Sequence, residues 1–507
     1  MGIGMTGLDA LLHGFEVALT GYHIGLMVVG VLIGILVGVL PGLGAPNGVA
    51  LLMPLTFFMP PVSAIILLSS MYWGALLGGS TTSILFNIPG EPSSVATTFD
   101  GHPMAKQGRA AEALSLAFLS SGFGALVGVI TITIVADDIA EFALRFSPAE
   151  YFAVYLLAFC AFIGMGGSNP LKTAVSLLVG LSLATIGMDT VSGEMRLTFG
   201  QDELVRGISF LVAVIGLFGI GELLATADET EKVEGIPARV RLAAVLRTLL
   251  DMPRYWVALL RSAAIGIWMG LTPGGPTAAS FMSYGVARRF SRRRENFGKG
   301  EPEGVVSPET SDHAAGVSAL LPMLALGVPG SATAAVMLGG LMIWGLQPGP
   351  MLFQDRPDFV WGLIASMYVA NLVAVVLVLA TVPIFASVMR VPFGLLAPMI
   401  MAICITGAWM ISGSGFDVLL AIGFGVLGYL MKKLDYPIAP MVLAMVLGDK
   451  AEDAFRQSML ISRGDLTIFW SNALVGSITT LALLLLAWPL LAMLLRGGAS
   501  LTRRPVE

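Results

Sequence analysis

The sequence predicts an all-α polytopic membrane protein, and three observations predict it. Hydrophobic residues make up 56% of the 507 positions, and charged residues only 12%. The charged share is about half that of a soluble domain, too little to cover a water-facing surface of this size. Mean hydropathy is +0.85, and apolar stretches recur along the whole chain. The same composition excludes a disordered chain. A net charge of -5 speaks against a nucleic-acid binder, and two cysteines against a disulfide scaffold. Cys160 and Cys404 each sit inside an apolar run and read as inert thiols. The first basic residue is Lys106. With no positive segment at the start, the first span reads as part of the mature chain, not as a cleaved signal.

In chain order the apolar stretches fall near 22–40, 48–59, 62–86, 113–136, 150–166, 171–187, 206–225, 256–272, 275–287, 314–328, 331–346, 359–388, 393–411, 416–431, 436–448 and 467–494. A crossing needs roughly 20 apolar residues, so several are too short alone. The pieces around Pro41-Gly42, Pro89-Gly90, Pro273-Gly274 and Pro329-Gly330 read as broken or re-entrant helices. Proline removes a donor and glycine tolerates any φ, so each pair interrupts the hydrogen-bond ladder. Counting those pieces as partial crossings leaves about 12 transmembrane helices. Gly30, Gly34 and Gly38 form one ridge of small residues, and Gly266 with Gly270 another; such ridges let helices approach closely in lipid. Between 288 and 303 stand Arg288, Arg289, Arg292, Arg293, Arg294 and Lys299. A basic loop this short beside a span marks the cytoplasmic side, not a nucleic-acid surface. Arg503-Arg504 gives the C-terminal tail the same side.

The most informative pattern is internal. Gly34, Gly38, Pro41, Gly42 and Gly44 spell G-x-x-x-G-x-x-P-G-x-G, and Gly266, Gly270, Pro273 and Gly274 repeat its opening about half a chain later. A second pair follows in the same order: Asn87, Pro89 and Gly90 with Ser93, Ser94 and Thr97, then Gly327, Pro329 and Gly330 with Ser331 and Thr333. After the first element the turn at Met59-Pro60-Pro61 is uncharged, whereas after its counterpart comes the arginine-rich loop. Equivalent loops of opposite basic content belong on opposite faces, so the two repeats are expected to be inverted. This divides the chain into a first repeat over 1–230, a polar linker over 231–255, a second repeat over 256–465, and a C-terminal helix and cytoplasmic tail over 466–507. Inverted repeats with broken helices near the midplane are the mark of secondary transporters.

At this point the chain resembles a known family. The run Gly78-Gly79-Ser80-Thr81-Thr82-Ser83, continuing through Asn87 and Pro89-Gly90-Glu91-Pro92 to Asp100-Gly101-His102-Pro103, is similar to the large membrane subunit of the tripartite tricarboxylate transporters. So are Leu40-Pro41-Gly42-Leu43-Gly44, the run Gly327-Val328-Pro329-Gly330-Ser331 continuing to Gly345 and Pro350, and Ser462-Arg463-Gly464-Asp465. The resemblance covers nearly the whole chain. It implies a permease of the bacterial inner membrane, with a small membrane subunit and a periplasmic solute-binding protein as partners, taking up carboxylates by ion-gradient coupling. The family usually has Gly-Pro where this chain has Gly448-Asp449, and more often an Asn near His313, in the stretch after Glu309.

The expected substrate-binding residues cluster at the four breaks: Pro41, Gly42, Leu43, Gly44 and Asn47; Ser80, Thr81, Thr82, Asn87, Pro89 and Gly90; Pro273, Gly274, Gly275 and Thr277; Pro329, Gly330, Ser331 and Thr333. Free backbone N–H groups at a helix start hold an anion, and hydroxyl and amide oxygens hold a cation. None of the four elements contains Lys or Arg, so a carboxylate would rest on backbone and hydroxyl donors. Glu91 reads as a cap of the following helix, and Asp100, Asp312 and His313 as interfacial. No cofactor is expected beyond a coupling cation, sodium or proton. A membrane-embedded enzyme or a channel is the alternative. An enzyme would need a nucleophile–base or metal constellation, and the four histidines His13, His23, His102 and His313 show no ligand spacing. No phosphate-binding loop of the G-x-x-x-x-G-K-[ST] form appears.

Overall fold

The fold is described from a computed structural model of the chain, for residues 7–40, 43–165, 169–189, 192–227, 236, 240, 242–272, 275–388 and 393–500. Pro41, Gly42, Pro273 and Gly274 lie outside the described residues. So do most of 228–241 and the tail 501–507.

In lipid every backbone group must find its partner inside the chain, and helix is the local answer. The first six helices are α1 (Gly7–Ala18), α2 (Gly21–Val39), α3 (Gly44–Leu52), α4 (Pro61–Phe86), α5 (Val95–Met104) and α6 (Ala110–Ala143). Then come α7 (Pro148–Met165), α8 (Pro170–Ala184), α9 (Phe210–Val214), α10 (Gly221–Ala227) and α11 (Leu242–Asp251). The second half continues with α12 (Trp256–Leu271), α13 (Gly275–Phe290), α14 (Glu303–Ser318), α15 (Leu320–Leu326), α16 (Ala332–Ile343), α17 (Met351–Asp355) and α18 (Pro357–Val388). The last four are α19 (Phe393–Ser412), α20 (Gly415–Lys433), α21 (Ile438–Ile461) and α22 (Ala473–Ser500). The one described strand pair is a two-residue antiparallel ladder, Gly187–Met188 with Met195–Arg196. An all-α polytopic membrane protein is therefore what the chain builds. Among the described residues seven helices are long and apolar enough to cross a bilayer, and five shorter apolar helices accompany them.

The chain divides into two compact units: Met1–Leu144 with Ser209–Leu430, and Arg145–Ile208 with Met431–Glu507. In the second, Gly180 of α8 sits against the carbonyl of Met441 in α21. Arg196 and Arg456 hold Glu452 at 2.8 and 2.5 Å, and Arg456 also pairs with Asp189 at 3.0 Å.

The first unit contains all the Pro-Gly elements, and it runs through one succession of parts twice. A ridge helix comes first. On α2, Cβ atoms placed at Gly30, Gly34 and Gly38 would fall 2.6, 2.1 and 2.0 Å from the carbonyl oxygens of Leu67, Met71 and Ala75 in α4. On α12, those at Gly266 and Gly270 would fall 2.4 Å from the carbonyls of Ser311 and Ala315 in α14. Only glycine permits contact this close, which is the packing the four-residue spacing predicts. A short helix follows, opened by a glycine of positive φ: Gly44 at 43° for α3 and Gly275 at 58° for α13. Next comes a wholly buried helix. All of α4 from Ser63 to Leu85 and all of α14 from Gly304 to Ser318 is buried. Each of these paths ends on a left-handed residue before its Pro-Gly: Asn87 closes α4, and Gly327 closes α15. Gly90 and Gly330 then reach back to the ridge helices. Their Cβ positions lie 1.9 Å from the Gly38 carbonyl oxygen and 2.3 Å from that of Gly270.

Sequence and structure differ most at α14. Hydropathy places its span at 314–328, yet the helix begins at Glu303 and is buried from Gly304 onward. Glu303, Glu309 and Asp312 lower the hydropathy of the segment, but neighbouring helices, not water, surround it.

Candidate functional site

The breaks and their hydroxyls can now be followed one by one. Leu43 and Asn47 are buried, and Gly44 faces Glu91: a Cβ there would lie 3.4 and 3.5 Å from its two carboxylate oxygens. The backbone N–H of Ala45, at the start of α3, donates to Glu91 Oε1. Glu91 also belongs to a capping box with Ser94, whose hydroxyl accepts from the Glu91 N–H at 3.3 Å. The expected cap is thus present, but the Glu91 carboxylate serves another helix as well. It holds the α3 N-terminus from a distance in sequence.

In the second half Gly275 occupies the place of Gly44, and its Cβ position lies 3.1 Å from both the Gly330 carbonyl oxygen and Ser331 Cβ. Where the first half has Glu91, the second has Ser331. Its hydroxyl accepts from the Ala334 N–H at 3.1 Å and caps α16. Thr277 is half-buried, whereas Pro329, Gly330, Ser331 and Thr333 are buried. Ser331 and Thr333 lie beside the Tyr72 hydroxyl of α4, which is buried and has no hydrogen-bond partner among the described residues.

The four consecutive hydroxyls of α4 split. Thr81 donates to the Leu77 carbonyl at 3.2 Å and Thr82 to that of Gly79 at 3.0 Å, both inside their own helix. Ser83 donates to Ser94 Oγ at 2.9 Å. Only Ser80 reaches across, donating to Glu309 Oε2 at 2.8 Å. Asn87 is exposed as the cap of α4, Pro89 is half-buried, and Gly90 is buried. The structure therefore gathers Gly44, Gly275, Gly330 and Ser331 at helix starts and Ser80 at Glu309. It does not bring Thr81, Thr82 or Asn87 into the same contacts.

The structure adds candidates that the local sequence pattern does not mark. Asp312 and His313, read as interfacial, are 1% and 2% exposed. Together with Glu309 they place one ligand atom each within 4.8 Å of one another, so a constellation exists where histidine spacing showed none. Glu309 accepts three hydroxyls: Ser80, Thr97 at 2.6 Å and Ser121 at 2.9 Å. These come from α4, α5 and α6, so the second half supplies the carboxylate and the first half its donors. The available signal was the spacing of Glu309, Asp312 and His313, which lie three and four residues apart on one helix face. Asp100, also expected at an interface, is fully buried. Its Oδ1 accepts from the N–H groups of Gly298, Gly300 and Glu301 at 2.8–2.9 Å, and its Oδ2 from Tyr284 at 2.9 Å. It anchors the end of the arginine-rich loop. In α12, Arg261 carries two guanidinium nitrogens that are buried with no partner among the described residues.

The comparisons with known proteins agree with this architecture. Residues 24–443 match the model of the "Tripartite tricarboxylate transporter TctA family". An Agrobacterium vitis protein described as "Uncharacterized 52.8 kDa protein in TAR-I ttuC' 3'region" is 38% identical over 472 residues, 93% of each chain. Another from that organism, "Uncharacterized protein in TAR-II ttuC' 3'region", is 36% identical over 219 residues, 43% of this chain and 90% of its own. No solved structure matches. With a family model spanning most of the sequence and a relative aligned over nearly its full length, the chain belongs to the tripartite tricarboxylate transporter TctA family.

Proposed function

We propose that the chain is the large permease subunit of a secondary, binding-protein-dependent transporter of the bacterial inner membrane. It imports carboxylates by ion-gradient symport, working with a small membrane subunit and a periplasmic solute-binding protein, and catalyses no covalent chemistry. The two halves are read as inverted repeats. The observation that carries the proposal is the Glu91 carboxylate on the Ala45 N–H at the start of α3. A helix N-terminus in this unit already holds a carboxylate, as free N–H groups and the helix dipole favour. The corresponding place in the second half, at Gly275 beside Ser331, has a hydroxyl where the first half has its glutamate. A substrate carboxylate takes there the position that Glu91 takes at α3. Pro276 has no N–H, so Gly275 and Thr277 are the donors.

The test is initial-rate uptake of labelled di- and tricarboxylates, citrate among them, into proteoliposomes that contain this chain and the small subunit. The binding protein is added outside. Accumulation above the outside concentration, dependent on a sodium or proton gradient, is expected. Equilibration without accumulation would indicate a channel, and no uptake of any carboxylate would reject the substrate class.

A further inference from the structure

The carboxylate position leaves a second cluster in the same unit without a role. Asp312 is 1% exposed, and among the described residues neither of its carboxylate oxygens has a hydrogen-bond partner. An ionised carboxylate taken out of water with no donor is strongly disfavoured. Next to it lies the Ser93 hydroxyl, from the segment that follows Pro89-Gly90. That hydroxyl is likewise buried, with no hydrogen-bond partner among the described residues. Glu309, one turn before Asp312, has three hydroxyl donors. Two neighbouring carboxylates and one neighbouring hydroxyl oxygen thus share a buried space, and one carboxylate is uncompensated.

We propose that Asp312, Glu309 and the Ser93 hydroxyl form a binding site for a hard cation, with sodium as its occupant and coupling ion. This rests on the carboxylate-import reading above and adds the co-substrate. The donor chemistry selects the ion. His313 Nδ1 lies 3.2 Å from the Glu309 carbonyl oxygen and 3.8 Å from Asp312 Oδ2. With the proton on Nδ1, that nitrogen donates to the carbonyl, and Nε2 keeps a lone pair that is buried with no partner among the described residues; the other donors here are the oxygens of two carboxylates and one hydroxyl. Oxygen donors favour sodium, magnesium or calcium over softer metals. Three donors already stabilise the Glu309 charge, so about one negative charge is left to balance. A monovalent ion matches it.

The location gives the ion a coupling role. Asp312 and Glu309 belong to the second half, and Ser93 with the Glu309 donors to the first. The charge of Glu91, which holds the α3 start, also acts on Asp312 through space. Tyr72, which lies beside Ser331 at the place proposed for an incoming carboxylate, also feels the Asp312 charge, so a cation that neutralises Asp312 and an anion at Ser331 favour each other by linkage.

The experiment uses the purified full chain in detergent without any carboxylate. Its thermal unfolding midpoint is measured in sodium chloride against choline chloride at equal ionic strength, with magnesium chloride and a pH series as further arms. The expected result is a saturable rise with sodium only. Asp312→Asn should fold, start from a higher midpoint because the orphan charge is gone, and lose the sodium response. Ser93→Ala should keep the response with apparent affinity about tenfold weaker, a 1.4 kcal/mol effect. Equal midpoints in sodium and choline, a response kept in Asp312→Asn, or a response to magnesium or acid alone would overturn the sodium site. Because no substrate is present, such a failure leaves carboxylate import standing, and uptake driven by a proton gradient would then separate the two readings.

Discussion

Ser331→Glu gives the second half the side chain that the first half has at Glu91. Gly275 approaches Ser331 as Gly44 approaches Glu91, with Cβ positions 3.1 Å from Ser331 Cβ and 3.4 Å from Glu91 Oε2. A glutamate at 331 therefore reaches the N-terminus of α13 and takes the donors proposed for substrate. A hydrogen bond to a charged group nets roughly 1.5–3 kcal/mol. Losing one such bond weakens substrate binding by about tenfold to a hundredfold. The substitution also removes the Ser331 cap on Ala334, which costs about 1 kcal/mol of stability. Ser331→Gln has the same length and the same lost cap but no charge, so it isolates the electrostatic part. The assay is initial-rate uptake in proteoliposomes with both variants at equal insertion. Ser331→Glu should raise the half-saturating substrate concentration at least tenfold above Ser331→Gln. Equal kinetics in the two variants would refute the idea that this helix start binds substrate.

Three further outcomes follow from the geometry. Gly330→Ala and Gly90→Ala each force a Cβ to within about 2 Å of a backbone carbonyl. Each should lower the unfolding midpoint by an amount corresponding to ~1–3 kcal/mol, while Gly423→Ala, which meets nothing within 4 Å and lies inside α20, should not lower it. Single cysteines placed in 288–299 or in the C-terminal tail should resist an impermeant periplasmic reagent in intact cells; ready labelling at either would overturn the assigned sides. His13 on α1 lies 3.2 Å from Glu16 and 3.0 Å from Asp358 of α18, and its pKa is raised above 6.5, first by the Glu16 hydrogen bond and then by Asp358. A raised pKa means that the contribution is complete below 6.5 and fades as pH climbs through the folded-state value. Amide exchange in residues 7–18 should therefore speed up toward pH ~8 beyond the intrinsic rate change, and unchanged protection would reject this.

The parts of the molecule written in local patterns were the legible ones. Glycines four apart on α2 and α12 predict close helix contact, and the structure seats them on backbone carbonyls of α4 and α14. The Pro-Gly at 89–90 and its counterpart at 329–330 stand, as expected, where buried helices end. The buried carboxylates were not legible. Asp100 and Asp312 look interfacial because local sequence shows a charge without its surroundings. Glu309 is satisfied by Ser80, Thr97 and Ser121, residues about two hundred positions away on three helices, and no window along the chain contains that arrangement. Four hydroxyls in a row on α4 suggested a single site. Helix geometry instead turns Thr81 and Thr82 back onto their own carbonyls.

The seating of Gly90 and Gly330 on the carbonyls of Gly38 and Gly270 has a genetic consequence. The atom that a larger side chain would strike is a backbone oxygen, and every amino acid at position 38 or 270 carries it. No exchange at those two positions can relieve a substitution at 90 or 330 by making room. A suppressor of Gly90→Ala or Gly330→Ala must act elsewhere, by letting α2 or α12 slide as a whole along the helix it packs against. Revertants selected for restored uptake should therefore map to the α2–α4 and α12–α14 seams, and the positions they choose would mark which of those seams yields when the protein moves.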